Sequence, residues 1–223
     1  NMPPATVIPT CADLNLFTPL VRRESYKSKN EFVLGYVGSV GTFYLFDEVI
    51  SCFIQLLIIR PDSKLLIVNR GQHDFILNRL AAAGISDNLI ELTSAKYDEI
   101  PLHMSKMDAG IFFLKPVFSK QASCPTRLAE FLGCGIPCLG NAGVGDMAAV
   151  LEDENVGVAI KSFDEESMTI ALKQLLELAA DPFISKRSVK AAQQNFSLID
   201  GVLRYSRIYD HSLFSPLPNF LVI

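Results

Sequence analysis

The chain has 223 residues, 49% of them apolar, which is enough to bury a sizeable core in one large domain or two small ones. Its 20 basic and 24 acidic side chains leave a net charge of −4, which argues against generic nucleic-acid binding. The most apolar run, Val49–Ile59, is much shorter than the roughly 20 residues of a membrane-spanning helix, so no transmembrane segment is expected.

Cysteine usage indicates a reducing compartment. The five cysteines are an odd number in a chain of this length, which favours reduced cytoplasmic thiols over a secreted disulfide framework. Cys134 and Cys138 stand close together, but neither a second pair nor a nearby histidine accompanies them. The sequence therefore predicts no metal site.

The first 30 residues differ from the rest of the chain. Prolines are frequent up to residue 20, and residues 21–30 are charged and polar, so segment 1–30 is predicted to be a strap or linker outside the core. No basic region followed by a continuous apolar stretch is present, so no signal peptide is predicted.

From residue 31 onward, short apolar runs alternate with longer segments of helical period, which is βαβ alternation. Strands are predicted at Phe32–Gly38, Lys64–Asn69, Leu89–Thr93, Ala109–Leu114, Ile136–Gly140 and Val156–Ile160. Helices are predicted at Phe43–Ile59, Asp74–Ala83, Asp98–Met107, Pro125–Cys134, Asp146–Glu152, Asp164–Ala180, Phe183–Asn195 and Leu198–Leu213. Phe43, Phe46 and Phe53 are interpreted as one buried helix face.

These elements predict an α/β fold, a doubly wound parallel sheet with a helical tail, because each strand is a nearly continuous apolar run suited to burial on both faces. Residues 31–195 would form this domain, and residues 196–223 a carboxy-terminal helix and tail. Ligands of such sheets bind beyond the carboxyl ends of the strands, so the loops after the strands carry the functional signal.

The loop after the first strand contains Gly38, Ser39, Gly41 and Thr42 directly before a helix. Glycines there allow close approach of a ligand, and free N–H groups at a helix start attract anions. The loop lacks the Lys of a Walker A motif and the full dinucleotide fingerprint. Two interpretations stay open, a tight strand-to-helix turn and a contact with a diphosphate.

The loop after the fourth strand is polar and ends at a helix that carries Thr126 and Arg127 in its first turn. Helix N–H groups, Lys120 and Arg127 together would form an anion site. Glu130 lies three residues after Arg127 and therefore on the same helix face. Either the two form an ordinary surface ion pair, or the cations hold a diphosphate while Glu130 accepts hydrogen bonds from ribose hydroxyls.

Residues 125–146 resemble the nucleotide-sugar signature of retaining GT-B glycosyltransferases of the group 1 type. That signature comprises a Pro, a Lys or Arg, a Glu, a helix ending in Gly-x-Pro and a glycine-rich turn, here represented by Pro125, Arg127, Glu130, Gly135–Pro137 and Gly143. Residues 7–17 are similar to the stretch by which these enzymes enter their carboxy-terminal lobe. Residues 119–127 most resemble a subgroup associated with bacterial surface-polysaccharide assembly, and the whole resemblance covers about residues 7–210.

The resemblance implies that residues 31–195 are a Rossmann-like, nucleotide-sugar-binding domain without a cofactor. This domain would be the donor-binding lobe of a hexosyltransferase that uses a UDP- or GDP-linked sugar. The acceptor, a glycan of capsule, lipopolysaccharide or exopolysaccharide type or a polyprenyl-linked carrier at the cytoplasmic membrane face, would be held by an amino-terminal lobe that this sequence lacks. Sugar transfer by this chain alone is therefore not expected. No catalytic residue is identified, and the implied substrate-binding residues are Gly38, Ser39, Gly41, Thr42, Thr93, Lys120, Ser123, Thr126, Arg127 and Glu130, with the backbone at Thr93 facing the nucleobase.

Two positions differ from the family's pattern. Ala122 stands eight residues before Glu130, where the family often carries a first glutamate, and Ser39 follows Gly38, where an Arg is usual. Neutralisation of phosphate would then fall to Lys120 and Arg127. The alternatives are a sugar-nucleotide epimerase of related fold, whose catalytic acids and histidines the sequence does not display, and a non-catalytic α/β binding module.

Overall fold

A computed structural model describes residues 6–20 and 31–214, with side chains as far as residue 209. The remainder of the predicted strap and of the predicted tail lies outside the described residues. Within the described ranges, no helix has both the length and the apolar character needed to cross a bilayer.

Six parallel strands form one sheet in the order β3-β2-β1-β4-β5-β6. The strands are β1 Phe32–Val37, β2 Ser63–Val68, β3 Ile90–Thr93, β4 Ala109–Ile111, β5 Cys138–Asn141 and β6 Gly157–Ile160. All residues of β1, β4 and β5 are buried, as expected for a parallel sheet that is covered on both faces. The predicted fold class is confirmed.

Eight helices of the described chain cover the sheet or follow it. They are α1 Phe46–Ile59, α2 His73–Ala82, α3 Ile100–Met104, α4 Thr126–Gly133, α5 Met147–Asp153, α6 Glu165–Ala180, α7 Ile184–Phe196 and α8 Leu198–Phe214. Every predicted helix is present, although α1 begins later than predicted and α3 is shorter. The residues before α3 form a single 3-10 turn, Tyr97–Glu99, instead of the first helical turn.

Strand β4 ends at Ile111, three residues earlier than predicted. Beyond it the chain pairs with the segment before α1: Leu45 N–H donates to the Phe113 carbonyl at 3.0 Å, and Lys115 N–H donates to the Phe43 carbonyl at 2.9 Å. The apolar run continues past the strand because Phe112 and Phe113 remain buried in this pairing. Hydrophobicity alone could not mark the strand end.

Two predictions about the core are corrected. Phe46 and Phe53 are buried, but Phe43 lies before α1 and keeps 41% of its surface exposed, so it does not belong to the buried helix face. Phe17, in the segment predicted to lie outside the core, is fully buried. It packs so closely on α4 that a Cβ atom on Gly133 would lie 2.7 Å from the Phe17 carbonyl oxygen.

The strand order reverses between β1 and β4, which pair directly at the centre of the sheet. The connection from β1 leads away to β2 on one side, and that from β4 leads to β5 on the other. The loops that follow these two strands therefore flank a crevice at the carboxyl edge, the usual ligand position in an open α/β sheet.

Candidate functional site

Hydrogen bonds from the β2 end shape the loop after β1. Gly38 N–H donates to the Val68 carbonyl at 3.0 Å, and the Asn69 side-chain amide donates to the Gly38 carbonyl at 2.8 Å. The Gln72 side chain contacts Val40 twice, accepting from its N–H at 3.0 Å and donating to its carbonyl at 2.9 Å. Sequence reasoning missed Asn69 and Gln72; the only signals were a polar amide directly after β2 and another directly before α2.

The rest of this loop adopts left-handed backbone. Gly41 has φ +85° and Thr42 has φ +55°, and the Tyr44 N–H closes the turn on the Gly41 carbonyl at 3.0 Å. A β-branched residue in this region is strained, and such strain is often found at functional loops. Gly41 and Thr42 determine the course of the loop but do not line the cavities described below.

The second loop, after β4, is supported by a glycine-rich turn after β5. It contains one 3-10 turn, Phe118–Lys120, and Ser123 N–H donates back to the Lys120 carbonyl at 3.1 Å. Gly145 N–H donates to the same carbonyl at 3.2 Å, and a Cβ atom on Gly145 would lie only 1.9 Å from the Ser123 carbonyl oxygen. Glycine at position 145 therefore permits the close packing of the two loops.

Helix α4 begins at Thr126, with Pro125 as its N-cap and not, as predicted, inside its first turn. Pro125 has an extended backbone, with φ −69° and ψ 117°, and no side chain caps the first N–H groups. An uncapped helix start facing a cavity provides donors for an anion.

A cavity of about 440 Å³ lies between the second loop and the start of α4. Four of the predicted substrate-binding residues line it, namely Lys120, Ser123, Thr126 and Arg127. Tyr44 and Ala122 also contribute to the wall, which contains both cations and no carboxylate. The Lys120 ammonium lies 4.5 Å from the centroid of the Phe43 ring, a cation–π contact. The electrostatics of this cavity suit an anionic ligand.

A second cavity, of about 200 Å³, lies at the carboxyl ends of β1 and β2. Its lining includes Gly38, Ser39, Asn69, Tyr97 and Arg127. Burial raises the pKa of the nearby Tyr36, whose hydroxyl donates to the Ser39 carbonyl at 2.5 Å. Arg127 lines both cavities, so one guanidinium connects the two halves of the crevice.

Arg127 and Glu130 form an ion pair, but the pair is not a surface pair. Glu130 is only 2% exposed and the Arg127 side chain 23% exposed. The paired atoms, Nη1 of Arg127 and Oε2 of Glu130, are buried and have no other hydrogen-bond partner among the described residues. Of the two interpretations that the sequence left open, the exposed surface pair does not agree with this burial, and Glu130 lies behind Arg127 instead of on either cavity wall.

Tyr97 completes this cluster and was missed by sequence reasoning. Its side chain lies near the Glu130 carboxylate, and its ring contacts the Phe17 ring edge-to-face at 5.3 Å between centroids. Burial raises the pKa of Glu130, and the Arg127 guanidinium opposes that rise. Burial, followed by the Glu130 charge, also raises the pKa of Tyr97.

Thr93 lies apart from both cavities at the end of β3, two strands away from β1. Its carbonyl accepts a hydrogen bond from Asn69 N–H at 2.9 Å, and its hydroxyl contacts the Ser94 carbonyl. The structure thus brings together Gly38, Ser39, Lys120, Ser123, Thr126 and Arg127, and not Thr93. In the described part of the chain, no three metal-binding side chains cluster.

One family model matches most of the chain. The family model described as "Glycosyl transferases group 1" matches residues 18–194. The chain is 24% identical over 189 residues to a GDP-mannose-dependent monoacylated alpha-(1-6)-phosphatidylinositol monomannoside mannosyltransferase from Corynebacterium glutamicum. That match covers 78% of this chain and 47% of the relative, so the chain spans about half of the relative's length.

Solved structures share the fold at low sequence identity. A sucrose-phosphate synthase from Thermosynechococcus elongatus has a TM-score of 0.71 and 18% identity, with 92% of this chain and 52% of that one covered. A glycosyltransferase from Rickettsia africae has a TM-score of 0.73 and 16% identity, with 95% and 58% covered. Anabaena HepE, solved with UDP and glucose, has a TM-score of 0.70 and 15% identity, with 92% and 56% covered.

Proposed function

Because the chain belongs to the group 1 glycosyltransferase family, we propose that it is the donor-binding, carboxy-terminal lobe of a sugar transferase. Its ligand is a nucleotide diphosphate sugar, UDP- or GDP-linked. The observation that carries this proposal is the position of Arg127, whose guanidinium lines both cavities of the crevice. In a nucleotide sugar the diphosphate links the nucleoside to the sugar. A cation that lines both cavities is therefore well placed to bind that diphosphate.

Each cavity has a separate role in this proposal. The 440 Å³ cavity holds the diphosphate and sugar, with Lys120 and Arg127 as cations and the N–H groups at the start of α4 as donors. The nucleoside enters the smaller cavity beside Gly38 and Ser39, where the backbone is accessible. Glu130 orients Arg127 by holding Nη1, so the remaining guanidinium donors stay available to phosphate.

The family resemblance assigns ribose binding to Glu130, and we keep this role as part of the proposal. Burial of the carboxylate behind Arg127 means that ribose hydroxyls would reach it only if Arg127 moved toward the phosphate. Recognition of the nucleobase by the backbone at Thr93 likewise remains a proposal.

Catalysis requires groups beyond this site. The larger cavity has no carboxylate in its wall, and Ala122 occupies the position where the family often carries a glutamate. We therefore propose that a second lobe binds the acceptor and supplies the remaining catalytic groups. We also propose that transfer retains the anomeric configuration, as in the family that the sequence resembles. An epimerase is disfavoured because neither cavity presents the acids and histidines expected of one.

An apolar face on α8 supports the proposal of a second lobe. Large apolar side chains are exposed along this helix: Leu198, Ile199, Val202, Leu203, Tyr205 and Tyr209. Gly201 is buried where the helix packs against the rest of the domain, and a Cβ atom there would be 2.4 Å from the Cys11 sulfur. Exposed apolar patches of this kind usually mark interaction surfaces.

The biological setting of the enzyme is proposed from sequence resemblance. The product would be a surface glycan of capsule, lipopolysaccharide or exopolysaccharide type, made by a hexosyltransferase at the cytoplasmic face of the membrane. All five cysteines are free, as is usual for a reducing compartment.

Thermal unfolding with nucleotides tests the donor-binding role. UDP, GDP, ADP and their sugars are added separately, with uridine and guanosine as controls that lack the diphosphate. A ligand that binds only the native state adds RT ln(1 + [L]/Kd), about 2.7 kcal/mol at a hundredfold excess over Kd. We expect one diphosphate to raise Tm by several degrees and its nucleoside to have little effect. Failure of every diphosphate at millimolar concentration would refute the proposal.

A further inference from the structure

The segment after β4 leaves the sheet at a defined residue. Phe112 N–H donates to the Leu139 carbonyl at 3.1 Å, which continues the hydrogen-bond ladder between β4 and β5. In a parallel ladder the N–H groups that bond to one neighbouring strand recur at every second residue. The next donor would therefore be Leu114 N–H, and the next acceptor would be the Asn141 carbonyl.

The side chain of Asn141 takes the place of that ladder bond. Its Oδ1 accepts from Leu114 N–H at 2.8 Å, and its Nδ2 donates to the Leu114 carbonyl at 2.9 Å. Both residues are buried. Buried backbone N–H and C=O groups need hydrogen-bond partners, so this carboxamide lets the chain diverge from β5 while both backbone groups stay paired.

The loop after β1 leaves the sheet in the same way. Gly38 N–H donates to the Val68 carbonyl as a ladder bond to β2, and the next donor, two residues on, is the buried Val40. The Gln72 carboxamide binds both backbone groups of Val40, at 3.0 and 2.9 Å. Asn69 Oδ1 in turn accepts from Gln72 N–H at 2.9 Å. Each loop that flanks the crevice is thus held by one side-chain carboxamide.

Both pairs adjoin the candidate site without entering it. Leu114 lines the larger cavity, and Val40 directly follows Ser39, which lines the smaller one. Neither Gln72 nor Asn141 lines either cavity. Each carboxamide can therefore affect a ligand in these cavities only through the loop that it holds.

We propose that Gln72 and Asn141 are positioning residues of the donor site. Gln72 positions the loop beside the nucleoside, and Asn141 positions the loop beside the diphosphate and sugar. This inference rests on the proposed function. A carboxamide is needed at both positions because one side chain must accept and donate at the same time, whereas a carboxylate only accepts and an aliphatic side chain does neither.

Two variants of Asn141 test the role of its hydrogen bonds. Asn141→Leu has a similar size but can neither donate nor accept, and Asn141→Asp regains a donor only when its carboxyl group is protonated. Calorimetry on the 223-residue chain uses UDP-glucose and GDP-mannose at pH 5 and pH 8, with the unsubstituted chain as reference at each pH. We expect binding about tenfold weaker for Asn141→Leu at both pH values and for Asn141→Asp at pH 8 alone, the factor for one ordinary hydrogen bond.

The matched control is Asn195→Asp, which adds the same charge. The Asn195 side chain donates to the Ala191 carbonyl within α7, away from both loops, so its substitution should leave the affinity unchanged at both pH values. If Asn141→Asp binds as weakly at pH 5 as Asn141→Leu does, hydrogen bonding by the carboxamide does not position the cavity.

Comparison with Gln72→Met assigns each carboxamide to its half of the site. Inorganic diphosphate, which would occupy the larger cavity alone, should lose affinity with Asn141→Leu but not with Gln72→Met, whereas both variants should weaken binding of the nucleotide sugar. Amide hydrogen exchange should become faster in the loop after β4 for Asn141→Leu and in the loop after β1 for Gln72→Met.

The same measurements separate this role from the proposed function. Unchanged affinity for the nucleotide sugars in Asn141→Leu and Gln72→Met would overturn the positioning role and leave the donor role standing. If neither nucleotide sugar binds the unsubstituted chain while exchange still changes loop by loop, the donor role fails and the anchoring of the loops by the carboxamides stands.

Discussion

Arg127 and Glu130 are three residues apart on one helix, but this spacing does not reveal that the pair is buried. Their spacing places them on one helix face, but the packing of α4 buries the carboxylate. Removing two charges from water is unfavourable, and a buried pair tolerates the loss of one partner poorly. Arg127 therefore contributes to stability as well as to the proposed phosphate site, and a variant must separate the two effects.

Arg127→Ala should both destabilise the fold and weaken nucleotide binding. Loss of one partner of a fully buried pair costs about 3–5 kcal/mol, and we expect about 2–3 here because the arginine keeps 23% side-chain exposure. Loss of a charge-assisted contact should reduce UDP or GDP affinity by about tenfold or more. The double variant Arg127→Ala/Glu130→Gln should regain stability in urea unfolding but not affinity. Full recovery of affinity would exclude phosphate binding by Arg127.

Stability should depend on pH through Glu130. Burial raises the pKa of Glu130 above its ordinary value of 4.5, so the native state holds this proton more tightly than the unfolded chain does. This tighter proton binding contributes fully to the free energy of unfolding below pH 4.5, and the contribution is lost as pH rises through the pKa of Glu130 in the native state. The free energy of unfolding of the unsubstituted protein, relative to that of Glu130→Gln, should therefore decrease as pH rises from 4 to 7. Urea unfolding across this range measures the difference, and an increase with pH would mean that the ion pair outweighs burial.

Glu130→Gln also tests the ribose role that the family resemblance assigns to this residue. If Glu130 accepts hydrogen bonds from ribose hydroxyls, the variant should lose affinity for UDP but much less for its dideoxyribose analogue. Equal losses for both ligands, measured by calorimetry, would mean that Glu130 acts only by orienting Arg127.

At the scale of elements, the site is assembled by loops that support one another. The early end of β4 lets its following segment pair with the segment before α1. The turn after β5 then packs against the second loop through Gly145. The segments that follow β1, β4 and β5 thereby hold the loop with Lys120 and Ser123 in one position.

Gly145→Ala should disturb the larger cavity more than the global fold. Its φ of +44° already disfavours a side chain, and the new Cβ atom would collide with the Ser123 carbonyl. The control is Gly84→Ala, with φ +74° and no atom within 4 Å, which should cost only the left-handed strain of about 1–2 kcal/mol. We expect a several-fold loss of UDP or GDP affinity in calorimetry for Gly145→Ala alone. Equal affinity in both variants would mean that the loop contact does not position the cavity wall.

At the scale of the whole molecule, the chain has the crevice of an open α/β sheet and an uncovered apolar helix face. It spans about half the length of the relatives that it matches. Transfer of a sugar requires an acceptor positioned against the anomeric carbon and exclusion of water from the reacting atoms. The larger cavity of the crevice has cations but no carboxylate in its wall.

Residues 1–223 should therefore bind a nucleotide diphosphate without transferring its sugar. We expect a Kd roughly between micromolar and millimolar, the range of a partial site. The measurement is radiolabelled sugar transfer to lipid or glycan acceptors, with purified chain free of host glycosyltransferases and with calorimetry confirming nucleotide binding in the same sample. Transfer by this chain alone would contradict the requirement for a second lobe.

The sequence by itself determined the fold class and the approximate bounds of its elements. Apolar strands buried on both faces and helices with one apolar face are local patterns that short windows of residues contain. Because the strand positions follow from these local patterns, the sequence also identified the loops after β1 and β4 as candidate ligand-binding segments. It extended β4 too far, because the buried segment after the strand is as apolar as the strand. It placed Phe43 wrongly in the core, because its spacing from Phe46 fits one helix face although the helix begins only at Phe46.

Only the tertiary structure decided which site residues share a cavity. Arg127 meets Gly38 and Ser39 in one cavity and Lys120 and Ser123 in another. Burial of Glu130 and its proximity to Tyr97 were equally invisible in the sequence. Each depends on packing between segments far apart along the chain, whereas a sequence pattern records only which residues are near one another in order.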